Sequence, residues 1–201
     1  MSEPRARYHH GDLARALVDA SLELLAREGS DAFTLREAAR RAGVNHRAVY
    51  RHFQDKRALL AKVAEGGYRM LAADMDRATT AGASSRDRLL ALCEAYLRFA
   101  RREPGRFIVM FGRRLNEDGR EVALEEAIRE ALRVLTRELD ALGPARSELQ
   151  RRDAGIALWS SIHGLSALVV AGRVPLAERH VHAYVRTVMG PVVDGIAHAL
   201  V

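Results

Sequence analysis

Between Thr34 and Lys62 the chain carries eight Arg or Lys residues against two carboxylates, Glu37 and Asp55, and this window accounts for the whole formal net charge of +6. Elsewhere basic and acidic residues balance. A compact excess of this kind suits a phosphate-binding surface, because each cation that neutralises a phosphate releases a condensed counterion. Abundance alone carries less weight, since all but two of the 32 basic residues are Arg and they are scattered along the chain. The clustering is what points to a polyanion.

Other chemistries find little support. The one cysteine, Cys93, lies in the apolar run ALCEAYL and reads as a small core residue, with no disulfide partner in the chain. His9 and His10 are adjacent, and His180 and His182, two apart, point to different sides of a helix, so no metal site is expected. No nucleophile elbow, P-loop, zinc-protease HExxH or Gly-rich dinucleotide fingerprint is present. Neither an enzyme nor a resident cofactor is expected. The opening MSEPRARYHHGD lacks the apolar run of a secretory leader, and we expect a cytoplasmic chain with no membrane span.

The basic cluster needs elements to position it. Apolar residues recur at helical spacing in almost every segment, and no run alternates with period two, so the fold class is all-α, with about nine helices. A first helix is expected from an N-cap at Asp12 to Gly29, with Leu13, Leu17, Ala20, Leu24 and Leu25 on one stripe. Thr34 and Glu37 have the spacing of a capping box that opens a second helix ending at Gly43. A third runs from Asn45 to about His52, and Asp55 caps a long fourth. Two short helices around a tight glycine turn are a helix-turn-helix, whose second helix lies in the DNA major groove. Leu35, Ala38, Ala39, Val44, Val49 and Phe53 face inward. His46, Arg47, Ala48, Tyr50, Arg51 and His52 remain outward.

The polar run from Thr79 to Ser85 reads as a loop, and the division is a head at 1–62, continuing into a connecting helix at 55–78, and a body at 80–201. The body's helices carry Leu89 to Ala100, Pro104 to Phe111 closed by Gly112, Val122 to Leu142, Ala154 to Ala171, and Val181 to Leu200. The 154–171 segment is apolar nearly all round, so more than one neighbour must cover it. A second copy of the chain, paired through 154–171 and 181–200, is the natural candidate. Phe107, Met110, Phe111, Trp159, Ile162 and His163 have the composition of a mostly apolar ligand cavity with one polar tip. Ordinary core would use the same residues.

The run FTLREAARRAGVNHRAVYRHFQDKRALL resembles the DNA-binding signature of the TetR family of regulators, and the likeness extends over about residues 8–72. Thr34, Gly43-Val44, Tyr50, His52-Phe53 and Lys56 carry it. The stretch Tyr8-His9-His10-Gly11-Asp12-Leu13, with Trp159, His163 and Gly164, resembles a subgroup whose C-terminal half carries Trp and then His-Gly. The resemblance implies that Thr34, Tyr50 and Lys56 hold phosphates while His46, Arg47 and Ala48 read bases. Arg47 would pair with guanine and Ala48 would meet a thymine methyl. Arg47 is a departure, since many relatives have a small residue there, and it lies either in the groove or along a phosphate.

The DNA-contacting set is then Thr34, Arg36, Asn45, His46, Arg47, Ala48, Tyr50, Arg51, His52 and Lys56. The function implied is a homodimeric repressor, released from a palindromic double-stranded DNA operator by a small-molecule effector. Arg5 and Arg7 form either a minor-groove arm or a solvated tail. An all-helical small-molecule-binding protein whose basic patch is a solvated face is the alternative.

Overall fold

The computed structural model describes residues 10–80, 84–112, 114–143 and 147–200, and these hold nine α-helices and no strand. They are α1 (His10–Ala32), α2 (Leu35–Arg41), α3 (His46–Val49), α4 (Lys56–Thr79), α5 (Ser85–Arg102), α6 (Pro104–Met110), α7 (Val122–Asp140), α8 (Glu148–Val170) and α9 (Val181–Leu200). Residues Arg5, Arg7, Tyr8 and His9 lie outside the described residues.

Five helices begin on a side-chain cap, which satisfies an amide that the first turn cannot. The Thr34 hydroxyl accepts from Glu37 N (3.2 Å), the Asn45 amide oxygen from Arg47 N (2.9 Å) and the Asp55 carboxylate from Ala58 N (2.8 Å). Ser84 accepts from Asp87 N (3.0 Å) and Ser147 from Gln150 N (3.1 Å). The Ser147 cap starts α8 six residues before the expected Ala154, because the polar turn Glu148 to Asp153 hides the start from an apolar stripe. Only half of the expected capping box forms. The Glu37 side chain binds Arg40 (2.8 Å) instead of turning back to Thr34.

Helices α1, α3 and α7 also differ from expectation at their ends. Helix α1 starts at His10, so Asp12 lies inside it, and it runs past Gly29 to Ala32; one glycine costs about 1 kcal/mol and a long helix can absorb it. Regular helix in α3 stops at Val49, after which Arg51, His52 and Phe53 amides bond back to Ala48 and Val49 carbonyls in successive tight turns. Helix α7 ends at Asp140, two residues short of Leu142.

Helix α4 is the centre of the packing, in contact with α1, α5, α6 and α7, while α5 meets α8 and α9 and these two meet each other. Their buried apolar side chains form one connected cluster from Leu13 to Leu200. Gly66 and Gly67 let α6 come close to α4. A Cβ at Gly67 would run into the Met110 thioether, and one at Gly66 would stand 3.1 Å from Arg106 Nη1. Ion pairs set the register elsewhere. Buried Glu138 on α7 accepts from Arg88 on α5 (2.7 Å) and from its neighbour Arg137 (2.9 Å), which also reaches Asp76 on α4 (2.7 Å). On the α5 and α9 surfaces, Arg86 meets Asp194 (2.5 Å), Arg186 meets Asp87 (3.1 Å) and His182 meets Glu94 (2.7 Å).

Helix α8 is long and apolar enough to cross a membrane by length and composition, a feature not expected from the first pass along the sequence. Only Leu158, Ile162, Leu165 and Ser166 of it are buried, and Ile156, Trp159 and Leu168 stand exposed, as does Val188 of α9. The second cover that its composition demands is not supplied by the described residues.

At the turn between α2 and α3, Gly43 has φ +66°, and Val44 N bonds to Ala39 O (3.0 Å) to close it. A Cβ there would meet nothing within 4 Å, so the cost of a side chain is purely backbone. We expect Gly43→Ala to lower unfolding free energy by about 1–2 kcal/mol, with an unchanged denaturant slope, and Gly43→Asn to lower it by less. Equal midpoints for all three proteins in urea titration would show that the turn tolerates a side chain.

Candidate nucleic-acid interface and ligand cavity

The structure separates the eight cations of the basic window into two groups. Arg40 is tied to Glu37, Arg41 to Glu23 (2.8 Å), Arg57 to Asp118 (2.5 Å) and Lys62 to Glu65 (2.7 Å). The Arg57 guanidinium beside Asp118 holds that carboxyl below the usual range. Arg36, Arg47 and Arg51 are exposed and make no ion pair among the described residues. The Lys56 ammonium lies over the Phe33 ring, 5.6 Å from its centroid, at the first turn of α4.

Around these cations the two short helices present polar side chains interleaved with Ala39 and Val44. An open groove of about 700 Å³ between α2 and α3 is lined by Thr34, Arg36, Glu37, Arg40, Asn45 and Arg47. Thr34 accepts a bond as a cap, which leaves its hydroxyl proton for a further acceptor. Asn45 uses its amide oxygen on Arg47 N, so its role in the structure is to cap. Tyr50 is 57% exposed at the end of α3. Ala48 is half-buried against the core and His52 half-buried beyond it, while the His46 side chain lies outside the described residues. Val49 and Phe53, on the opposite face, are buried and anchor α3.

The second site is a cavity of about 110 Å³ enclosed by α4, α5, α7 and α8 with Phe111. Tyr68, Leu71 and Met75 come from α4, Leu92 and Tyr96 from α5, Ile128, Ala131, Leu132 and Leu135 from α7, and Trp159 and Ile162 from α8. Of the residues expected to line a cavity, Phe111, Trp159 and Ile162 do so. Phe107 and His163 stand behind them instead. Their rings stack at 5.2 Å, and His163 lies 4.5 Å from Phe111. Met110 is directed to Gly67, and its carbonyl accepts from the Tyr68 hydroxyl (3.0 Å).

Polar atoms in the wall are paired. Tyr96 Oη and His163 Nδ1 share a hydrogen bond of 3.0 Å, whose direction is set by the tautomer. Burial pushes the Tyr68 phenol up to about 12 and the Tyr96 phenol higher still, so both stay protonated. Burial lowers the His163 pKa, which favours the neutral ring. The Cys93 thiol, fully buried on α5, is pushed up to about 12 and is inert as a nucleophile.

Sequence reasoning missed the walls contributed by α4, α5 and α7. Tyr68 and Tyr96 carried the available signal, being polar-tipped aromatics on otherwise apolar stripes. It also missed Asp118, which ties the start of α4 to the segment before α7.

Comparison with known proteins agrees with this geometry. Residues 17–63 match the family described as bacterial regulatory proteins, tetR family, and residues 89–190 match the tetracyclin repressor-like C-terminal domain. No curated protein matches the chain. Among solved structures, a protein of unknown function from Rhodococcus sp. RHA1 is similar over 96% of this chain and 100% of its own, with 28% identity and a TM-score of 0.76. A tetR-family regulatory protein from Rhodococcus RHA1 is similar over 94% and 96%, with 20% identity and a TM-score of 0.65. The transcriptional regulator FadR from Bacillus subtilis, solved with stearoyl-CoA, covers 90% of this chain and 98% of its own, with 17% identity and a TM-score of 0.70. The last two likenesses concern the fold. With its helix-turn-helix and more than half its length matched, the chain belongs to the TetR family of DNA-binding transcriptional regulators.

Proposed function

We propose that this regulator is a homodimeric repressor whose heads, residues 1–62, grip a palindromic operator, and whose bodies, residues 80–201, release it when a small molecule occupies the cavity. The observation that carries the reading is a set of exposed cations that make no ion pair among the described residues, Arg36 on α2, Arg47 on α3 and Arg51 just past it, while their neighbours are tied into the fold. A guanidinium left without a carboxylate is available to phosphate or to a guanine edge.

Thr34, Tyr50 and Lys56 are the positioning contacts in this reading, with Arg36, Arg51 and His52 flanking them. His46, Arg47 and Ala48 are the specifying ones, and Asn45 shapes the helix that carries them. Effector binding falls to the cavity, with Phe111, Trp159 and Ile162 in its wall and Phe107, Met110 and His163 supporting it. That FadR of Bacillus subtilis holds stearoyl-CoA supports a ligand-holding body on this fold. Trp159, His163 and Gly164 on one stretch of α8 support placement in the subgroup with Trp followed by His-Gly. The chemistry is binding alone, with no catalysis or resident cofactor, and it takes place in the cytoplasm, where the operator is.

The dimer follows from α8 and α9. Their outer faces leave Ile156, Leu168 and Val188 in water, and a second copy would cover them symmetrically, which also matches a two-fold operator.

Fluorescence anisotropy with DNA from the regulator's own upstream region tests the reading at varied salt. Arg47→Ala is expected to cost about 1–3 kcal/mol and to relax one operator position, whereas Lys56→Ala weakens all sequences alike and reduces the salt slope by about 1. Weak binding that ignores salt, Arg47→Ala and Tyr50→Ala would instead leave an all-helical small-molecule-binding protein. For the assembly, Leu168→Glu places a charge in the proposed seam. Sedimentation should then find monomer where the parent protein is a dimer, with palindrome affinity lost; a variant that stays dimeric places the interface elsewhere.

A further inference from the structure

We propose that the effector cavity takes a compact, uncharged apolar group of about the size of one aromatic ring, and rejects the same ring bearing a carboxylate or an ammonium. This rests on reading that cavity as the effector site, and it names the chemical class.

Size is the first argument. An apolar cavity of about 150 Å³ holds benzene, and this one measures about 110 Å³ with flexible Met75 and leucine side chains in its wall. One ring, or a chain of a few carbons, fits.

Charge is the second. None of the twelve lining residues is acidic, basic or a histidine. The hydroxyls that reach the wall are already used, Tyr68 on the Met110 carbonyl and Tyr96 on His163. An ion placed here loses its hydration and gains no partner, which a buried charge does not tolerate. Aromatic edges and faces from Tyr68, Tyr96 and Trp159 instead offer ring packing.

The way in is the third. Leu132 and Trp159 are the two lining residues that are exposed in a single copy of the chain, at 44% and 39%, so the cavity opens between α7 and α8, with Leu132 of α7 off the proposed α8–α9 seam. An apolar molecule enters past two apolar gateposts. Trp159 is also the one tryptophan of the chain, so its emission reports directly on the wall of this site, and the filling variants separate occupancy from any other change.

Toluene, benzoate and benzylamine share one ring and differ in charge, and titration of each against the full-length protein, followed by Trp159 emission, decides the matter. Toluene is expected to give a saturable change, with benzoate and benzylamine at least tenfold weaker. Ala131→Phe fills the cavity and should weaken toluene at least tenfold; Ile128→Phe, at a half-buried position, serves if the first variant does not fold. If benzoate or benzylamine binds as tightly as toluene and the filling variants abolish it, the uncharged class is wrong while the cavity remains the ligand site. If toluene gives no saturable response, or one that neither variant changes, the class and the cavity fail together. DNA binding tested with Arg47→Ala is independent of either result.

Discussion

A single unbroken helix, α4, has to serve both ends of this molecule. Its first turn carries Lys56 and Arg57 next to the helix-turn-helix, and Tyr68, Leu71 and Met75 further along form one wall of the cavity. The fifteen steps from Lys56 to Leu71 span about 22 Å at a rise of about 1.5 Å each. A helix held on several sides does not bend freely, so a shift at one end must appear at the other. The close seat of α6 on Gly66 and Gly67, the Tyr68 bond to the Met110 carbonyl and the Arg57–Asp118 pair all bear on this helix. Changes in the cavity wall therefore have a physical route to the head.

Charge is distributed in a way that composition conceals. A net +6 concentrated in one window suggests a uniformly basic face, yet Glu23, Glu65 and Asp118 come from outside the window or from its far side to neutralise particular members. Arg36, Arg47 and Arg51 are the members that make no ion pair among the described residues. Exposed ion pairs add little to stability. Here their effect is selective, holding some guanidiniums in the fold and leaving others to an external anion.

Much of the head was legible in the sequence because its determinants are local. Thr34, Asn45 and Asp55 announce their helices within three residues, and Gly43 marks its turn. Starts that depend on polar turns, as at Ser147, were hidden by their lack of an apolar stripe. The cavity was legible only in part. Composition marks Phe111, Trp159 and Ile162 as fit for an apolar cavity, but that Tyr68, Ala131 and Leu132 meet them is a matter of how distant segments pack. The same holds for the ion pairs: Arg57 and Asp118 are separated by 61 residues, and no local pattern joins them.

The connected core has a genetic consequence. Since buried side chains run without a break from Leu13 to Leu200, a lesion anywhere in them lowers the population of folded heads as well as bodies. On the repressor reading, such mutants are constitutively derepressed and cannot be told by phenotype from a cell saturated with inducer. Silence in the presence of inducer is the rarer phenotype, reached by substitutions that close the cavity while keeping the core filled. A selection for non-inducible colonies would thus map the cavity wall, whereas a selection for derepression would map the whole protein.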